Sequence, residues 1–220
     1  MMPVTTTHDP LPRGRLFVIA APSGAGKTSL VRALMEREPS LRFSISYTTR
    51  RQRPNEVDGR DYFFVTREEF DAMAARGEFL EHASVFDNRY GTARGQVEAA
   101  LAAGQDLILE IDWQGAEQVR RALPECVSIF ILPPSRAELE RRLRGRGTDA
   151  EDVIERRLLD AAADMAHWQE FDYVVVNDDF ARALEDLLGV VKGGAAARRS
   201  ARDRPELAGL TAALTAGSRG

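Results

Sequence analysis

Lysine is almost missing from this 220-residue chain: Lys27 and Lys192 are the only two, although lysine and arginine together number 30. Positive charge is therefore carried by arginine, whose planar fork pairs with carboxylates and phosphates and stays protonated. Cysteine occurs once, as Cys126. That excludes an intramolecular disulfide and any cysteine-based metal site, and a reducing, cytoplasmic setting is the expectation. The three histidines, His8, His82 and His167, lack metal-ligand spacing and read as structural. No apolar run approaches the roughly 18 residues of a membrane span, and residues 1–14 have no apolar segment of the signal-peptide kind. Neither secretion nor membrane insertion is expected. A net charge of −4 argues against nucleic-acid binding through a broad basic surface. Clusters of arginine in such a chain must serve local chemistry.

Against this background the placement of Lys27 is informative. It lies in Ala21-Pro22-Ser23-Gly24-Ala25-Gly26-Lys27-Thr28, after the apolar run 16–20 and before an amphipathic stretch bearing Leu30, Val31, Leu34 and Met35. Strand, Gly-rich loop and helix in that order form a phosphate cradle. Backbone N–H groups close around phosphate oxygens, the ammonium meets the β/γ-phosphates, and the Thr28 hydroxyl is placed for Mg²⁺. Ser23, Gly24, Ala25, Gly26, Lys27, Thr28 and Ser29 are therefore the candidate nucleotide-binding residues. Ala21 stands where the first glycine of the pattern belongs, which is compatible with the loop if no positive φ is needed there.

Short apolar runs at 16–20, 107–111, 127–132 and 173–176 alternate with helical patterns. This is the signature of a doubly wound, parallel α/β sheet. Thr66 with Glu69, Ser135 with Glu138 and Thr148 with Glu151 read as capping boxes that start helices. Between 43 and 92 the pattern changes to short strands at 43–47, 62–65, 79–85 and 89–92, broken at Pro54-Asn55 and Asp58-Gly59. An inserted, partly antiparallel lobe is expected over 43–92, within a domain spanning 15–192 whose core is 15–42 and 93–192. Gly145-Arg146-Gly147 joins two arginine-bearing helices and marks 135–165 as a mobile lid. The segment 1–14 and the tail 193–220, rich in Gly, Ala, Arg and Ser, are expected to lie outside the fold, so truncation after Lys192 should leave activity nearly unchanged.

Three constellations carry chemistry beyond the loop. Arg50, Arg51 and Arg53, ending at Pro54, can converge guanidinium forks on one phosphate dianion, with Tyr62 and Tyr90 adding hydroxyl donors. A solvated charged loop is the competing reading. Glu81 and Asp112 stand at strand ends, where open α/β sheets bind ligands. As acceptors they suit the N–H donors of a guanine edge, and Ser46 and Thr92 supply hydroxyls. Arg141, Arg142, Arg144, Arg146, Arg156 and Arg157 include candidates for stabilising a transferring phosphoryl group, against the alternative of a charged helix face.

These residues resemble the guanylate kinase family from about Leu16 to Val191. The similarity rests on the loop at 21–28, on Ser46-Tyr47-Thr48-Thr49-Arg50 with Arg53-Pro54, on Glu56-Val57-Asp58-Gly59-Arg60-Asp61-Tyr62 and on Gly77-Glu78-Phe79-Leu80-Glu81. The resemblance implies a P-loop fold with an inserted GMP-binding lobe and a helical lid, acting on ATP and GMP with Mg²⁺. It further implies that Ser46, Glu81, Thr92 and Asp112 read guanine, and that Arg50, Arg53, Tyr62 and Tyr90 hold the GMP phosphate. Lys27, Arg142, Arg146 and Arg157 would act in catalysis, and Asn177 would touch adenine. His82 stands where many members carry tryptophan, an expected change of packing. Two rivals are a non-catalytic module that grips a phosphorylated partner, and a related sugar-phosphate kinase. The intact Lys27-Thr28 pair opposes the first, and the guanine-reading set opposes the second.

Overall fold

The computed structural model describes residues 12–85, 87–145, 150–193 and 204–216. Strand β1 (Leu16–Ala20) leads through the Gly-rich loop into α1 (Lys27–Arg37) and β2 (Arg42–Phe43). Short strands β3 (Tyr47–Thr48) and β4 (Phe63–Phe64) precede α2 (Arg67–Ala75), β5 (Phe79–Val85), β6 (Asn88–Ala93) and α3 (Arg94–Ala102). The chain returns through β7 (Leu107–Glu110), α4 (Trp113–Ala122), β8 (Val127–Leu132), α5 (Arg136–Arg144) and α6 (Glu151–Met165). It continues with β9 (Tyr173–Val176), α7 (Phe180–Val191) and α8 (Glu206–Thr215).

The first sheet is parallel throughout, in the order β2-β7-β1-β8-β9. Alternation of side chains along a strand splits its residues between two faces. Leu16, Val18 and Ala20 of β1 join one core cluster with Leu109, Phe130, Val119 and Leu158. Phe17 and Ile19 join the other, with Ile108, Ile129, Leu30 and Leu187. Helices thus cover both faces of the sheet, which explains why all five residues of β1 are buried. The C-terminal ends of β1, β7, β8 and β9 all open on the same edge, and the Gly-rich loop sits there.

The second sheet has the order β4-β3-β6-β5. It is mixed, with β3 parallel to β4 and β6 antiparallel to β3 and β5. The single strand read over 43–47 is two strands in two sheets. Phe43 pairs with Ile108 in the core, while Tyr47 pairs with Phe63 and Gly91 in the lobe. The lobe packs through aromatic contacts: Phe70 stacks on Phe79 at 4.5 Å and Tyr47 on Phe63 at 4.7 Å. His82 meets both Phe70 and Phe79, so its ring is a packing element.

Thr66 and Glu69 form a full capping box. Ser135 caps α5 by accepting the Glu138 N–H at 3.1 Å, but the Glu138 carboxylate turns to Arg141 and Arg142 instead of back to the cap. Thr148 lies outside the described residues, and the residue before α6 is Ala150. The Glu151 carboxylate is drawn to Arg144, where a charged donor outcompetes a neutral backbone N–H.

The tail departs from expectation more fully. Leu207 and Leu214 of α8 are buried, and Thr211 between them bonds the Leu207 carbonyl at 2.8 Å. The helix lies on α6, and Arg204 donates to the Val174 carbonyl of edge strand β9 at 2.8 Å. Tail composition, averaged over Gly, Ala and Arg, conceals a stripe at i, i+4 and i+7 that suffices once α6 supplies a complementary face. Leu207→Ala should therefore destabilise the protein by about 2 kcal/mol or more, read from urea unfolding. Ala213→Ser, at an exposed position of the same helix, should stay within about 0.5 kcal/mol of wild type.

Candidate active site

The loop after β1 turns twice through the left-handed region, at Gly24 (φ 88°) and Gly26 (φ 93°). Both positions also exclude a side chain sterically. A Cβ on Gly26 would stand 2.4 Å from the Asn177 amide nitrogen, and one on Gly24 would meet Leu139 of α5 at 2.9 Å. Ala21 has no positive φ, so the missing glycine is tolerated.

The loop is tied from outside at one carbonyl. Ala25 O accepts Asn177 Nδ2 at 2.7 Å and Arg142 Nη1 at 3.1 Å. Arg142 also donates to Asn177 O at 2.9 Å and to Glu138 at 2.7 Å. Its guanidinium is therefore committed to the loop and its neighbours, not extended into the cleft. Asn177 is equally committed: the expected adenine contact has its amide nitrogen bonded to the loop. Arg146 lies outside the described residues. Arg157 is half-buried on α6 and Arg156 is exposed. Arg141 and Arg144 pair with carboxylates of α5 and α6 on the outer face, as the charged-face alternative describes.

Lys27 Nζ donates to the carbonyl of Ile111 at 2.7 Å. Burial pulls its pKa down, against the opposing charges of Glu110, Asp112, Asp164 and Glu81. Thr28 and Ser29 are exposed in the first turn of α1. The Thr28 hydroxyl donates to the Glu110 carboxylate at the end of β7. Two hard oxygen groups beside a phosphate cradle are a donor set that fits Mg²⁺, which holds a few protein oxygens and keeps its remaining waters. No cluster of three or more metal-ligating side chains occurs among the described residues.

Two connected cavities open from Lys27. The larger, about 700 Å³, runs past Thr28, Arg53, Glu56, Tyr62 and Glu110. Arg50 does not line it but lies behind its wall, over the rings of Tyr62 (5.4 Å) and Phe64 (5.8 Å). Its Nη2 donates to Glu56 at 2.7 Å and its Nη1 to the Arg51 carbonyl at 2.9 Å. The Glu56 carboxylate also accepts the Arg53 backbone N–H at 2.9 Å, so it braces the whole arginine turn. Glu56 was missed as a functional residue, although its place in the turn at 56–59 was the available signal. The Arg53 side chain is largely in solvent. Tyr90 meets Tyr62 edge-on at 6.0 Å.

The smaller cavity, about 240 Å³, is lined by Ser46, Tyr62, Glu81, Tyr90 and Asp112 together with Lys27. Glu81 is only 3% exposed and accepts the Thr92 hydroxyl at 2.6 Å. Burial, and then the charge of Asp112, push its pKa up to about 7, while the Thr92 bond and Lys27 pull it down. Asp112 caps α4 by accepting the Gly115 N–H at 2.7 Å. A Cβ at Gly115 would come 2.7 Å from Glu81 Oε2, so glycine is what lets α4 begin against this carboxylate. Nothing in the local pattern singled out Gly115. The structure thus gathers Ser46, Tyr62, Glu81, Tyr90 and Asp112 around one pocket beside Lys27, with Thr92 fully buried behind Glu81. A groove between α6 and α8 of about 630 Å³, walled by alanine, threonine and Trp168, holds no titratable side chain.

A family model described as Guanylate kinase matches residues 13–193. A guanylate kinase of Dechloromonas aromatica (strain RCB) is 60% identical over 179 residues, covering 81% of this chain and 89% of its own. That of Escherichia coli (strain K12) is 53% identical over 182 residues, covering 82% and 88%. The crystal structure of guanylate kinase from Anaplasma phagocytophilum superposes with a TM-score of 0.67 at 36% identity, over 83% of this chain and 87% of that one.

Because the Thr92 hydroxyl favours the ionised form of Glu81, Thr92→Val should raise the Glu81 pKa further above neutrality. A ¹³C NMR titration of the glutamate carboxyl groups reads this directly, and an unchanged or lowered midpoint contradicts the assignment.

Proposed function

The chain belongs to the guanylate kinase family, and on that premise we propose how its cleft carries out the ATP-dependent phosphorylation of GMP to GDP. Guanine enters the smaller cavity, with its N1–H and exocyclic amine donating to Glu81 and Asp112 and its O6 facing the hydroxyl of Ser46, while Thr92 spends its one proton on Glu81. The observation that carries this reading is Glu81: a carboxylate at 3% exposure, held by Thr92, in a pocket opening on Lys27. A buried acceptor of this kind is costly unless a ligand supplies N–H donors. Adenine presents an acceptor at the corresponding ring position, and leaving both carboxylates unpaired rejects it.

The GMP phosphate is taken by Arg50, Arg53, Tyr62 and Tyr90. Glu56 holds Arg50 against Tyr62, and the exposed Arg53 closes on the ligand. ATP is held by the backbone N–H groups of residues 23–28 and by Lys27. Thr28 and Glu110 are the groups that would hold Mg²⁺, which when bound neutralises charge on the donor phosphates. The phosphate oxygen of GMP is already anionic, so the site has no need of a general base. Arg157, and Arg146 in the segment between α5 and α6, stabilise the charge on the transferring group. Arg142 and Asn177 act by fixing the loop. This division of labour keeps positive charge where phosphates meet and acceptors where the base lies. We also propose a cytoplasmic location, supported by the single buried thiol of Cys126. No described helix is long and apolar enough to cross a membrane.

Lys27→Met should lower kcat by about 10³. It should leave the melting temperature unchanged or higher, since a desolvated ammonium is replaced by an apolar side chain of similar length. Near wild-type turnover at saturating ATP would refute the loop assignment.

Glu81 also makes GMP use pH-dependent. Its carboxyl is protonated progressively as pH falls below about 7, which removes an acceptor for the guanine N–H groups. The KM for GMP should therefore rise toward acid pH with a limiting slope of about one decade per unit, and Glu81→Gln should remove that component while the titration of GMP itself remains. The same variant should lose most of the GMP preference over AMP with KM for ATP little changed. Full retention of that preference would dismiss the base pocket.

A further inference from the structure

Strand β5 forms one edge of the second sheet, and its ladder with β6 is irregular beside the base pocket. Phe79 lies opposite Ala93 and Glu81 opposite Thr92, the residue before it, so Leu80 is an extra residue on β5. A bulge of this kind bends the strand and re-aims the side chains next to it. It allows Phe79, Leu80 and Glu81 to be buried in succession, where strict alternation would turn the middle one to the other face. Phe79 stacks on Phe70 within the lobe, Leu80 joins the core cluster that includes Ala116 and Val119 of α4, and Glu81 enters the base pocket.

Just past the bulge the strand is fastened from outside its own sheet. The His82 N–H donates to Gln118 Oε1 at 3.1 Å, and Gln118 Nε2 donates to the His82 carbonyl at 2.9 Å. One side chain of α4 therefore pairs both backbone groups of the residue after Glu81, on the edge of β5 that faces away from β6. It does there what a further strand would do. Residues three apart share one face of a helix, and Gly115 stands three before Gln118. A Cβ at Gly115 would come 2.7 Å from Glu81 Oε2, and the Gly115 N–H itself donates to Asp112 at 2.7 Å. The same face of α4 thus meets Glu81 through Gly115 and His82 through Gln118, while the helix begins at Asp112.

We propose that Gln118 is a positioning residue for base recognition: by clamping the His82 backbone to α4 it fixes the bulged strand, and so sets the Glu81 carboxylate against Asp112 at the head of the same helix. This rests on the reading of Glu81 and Asp112 as base acceptors. The two come from different parts of the fold, Glu81 from the second sheet and Asp112 from the end of β7 in the first. The N1–H and exocyclic amine of guanine are rigidly spaced, so their acceptors must be as well. Without the clamp the free edge of a bulged strand samples other arrangements, and the affinity for GMP falls by the fraction of molecules in which the pair is correctly set.

The test uses two variants of the full chain. Gln118→Met keeps the length of the side chain and removes both bonds, and Gln118→Ala removes the side chain at a position where alanine favours the helix. Each should raise KM for GMP by about tenfold and leave KM for ATP within about twofold. A general loss of stability would instead affect both substrates alike. Glu81→Gln and the Glu81→Gln/Gln118→Met double variant are measured in parallel. The double variant should use GMP no worse than Glu81→Gln alone, because Gln118 acts through that carboxylate. Wild-type KM for GMP in either folded Gln118 variant, an equal rise in both KM values, or losses that simply add would overturn the proposal. If Glu81→Gln also leaves GMP use intact, the base-pocket reading has failed and the clamp falls with it; if Glu81→Gln alone is impaired, only the clamp is wrong.

Discussion

The cleft depends on how the carbonyl of Ala25 is held. Two donors from distant parts of the chain meet on it, the Asn177 amide beyond β9 and the Arg142 guanidinium of α5. A carbonyl with both lone pairs engaged cannot rotate, and the peptide plane that carries it sets the direction of the neighbouring N–H groups. That is what makes a loop into a phosphate cradle before any phosphate arrives. The glycines at 24 and 26 are needed as much for the close approach of Leu139 and Asn177 as for their backbone conformation.

From this fixed point the charges divide by ligand chemistry. In the proposed reading the carboxylates of Glu81 and Asp112 meet the donors of the base, and Arg50 and Arg53 meet the oxygens of the phosphate. Lys27 stands at the boundary and feels both. The carboxylates beside it offset its desolvation, so an ammonium can persist in a site that would otherwise discharge it. Glu56 does the corresponding work for Arg50, which it holds at 2.7 Å. In both places internal carboxylates let a cation wait for its ligand.

Much of this was legible in the sequence because the signals were local. The Gly-rich loop, the buried strands at 16–20 and 127–132 and the carboxylate of Asp112 just beyond β7 each depend on neighbours a few residues away, whereas Glu81, expected at a strand end, lies inside β5. The features that escaped are those set by tertiary contact. Arg142 carries the same signal as Arg141 and Arg144, and only the fold separates the one turned to the loop from those facing water. Asn177 reads as a ligand contact until Ala25, 152 residues away along the chain, is seen to occupy its amide. Gly115 is inconspicuous inside a helix, since its reason lies in Glu81 on another strand. Helix α8 falls on a weak apolar patch at 207–214 that the sequence shows but that was expected outside the fold: three buried positions outweigh a polar composition when a matching face waits on α6. The strand expected at 43–47 failed because period-2 alternation cannot show that the chain changes sheets midway.

The scarcity of lysine has a chemical consequence for the folded protein. Of its two side-chain amines, Lys192 is paired with Glu38 at 3.1 Å on the surface, and Lys27 lies in the loop with its pKa pulled down. Reagents and metabolites that acylate or glycate amines are met elsewhere by guanidinium groups, which they modify poorly. Lys192, with its side chain 58% exposed, is therefore the side-chain amine such reagents meet first, while Lys27 is shielded by its burial and its bond to the Ile111 carbonyl.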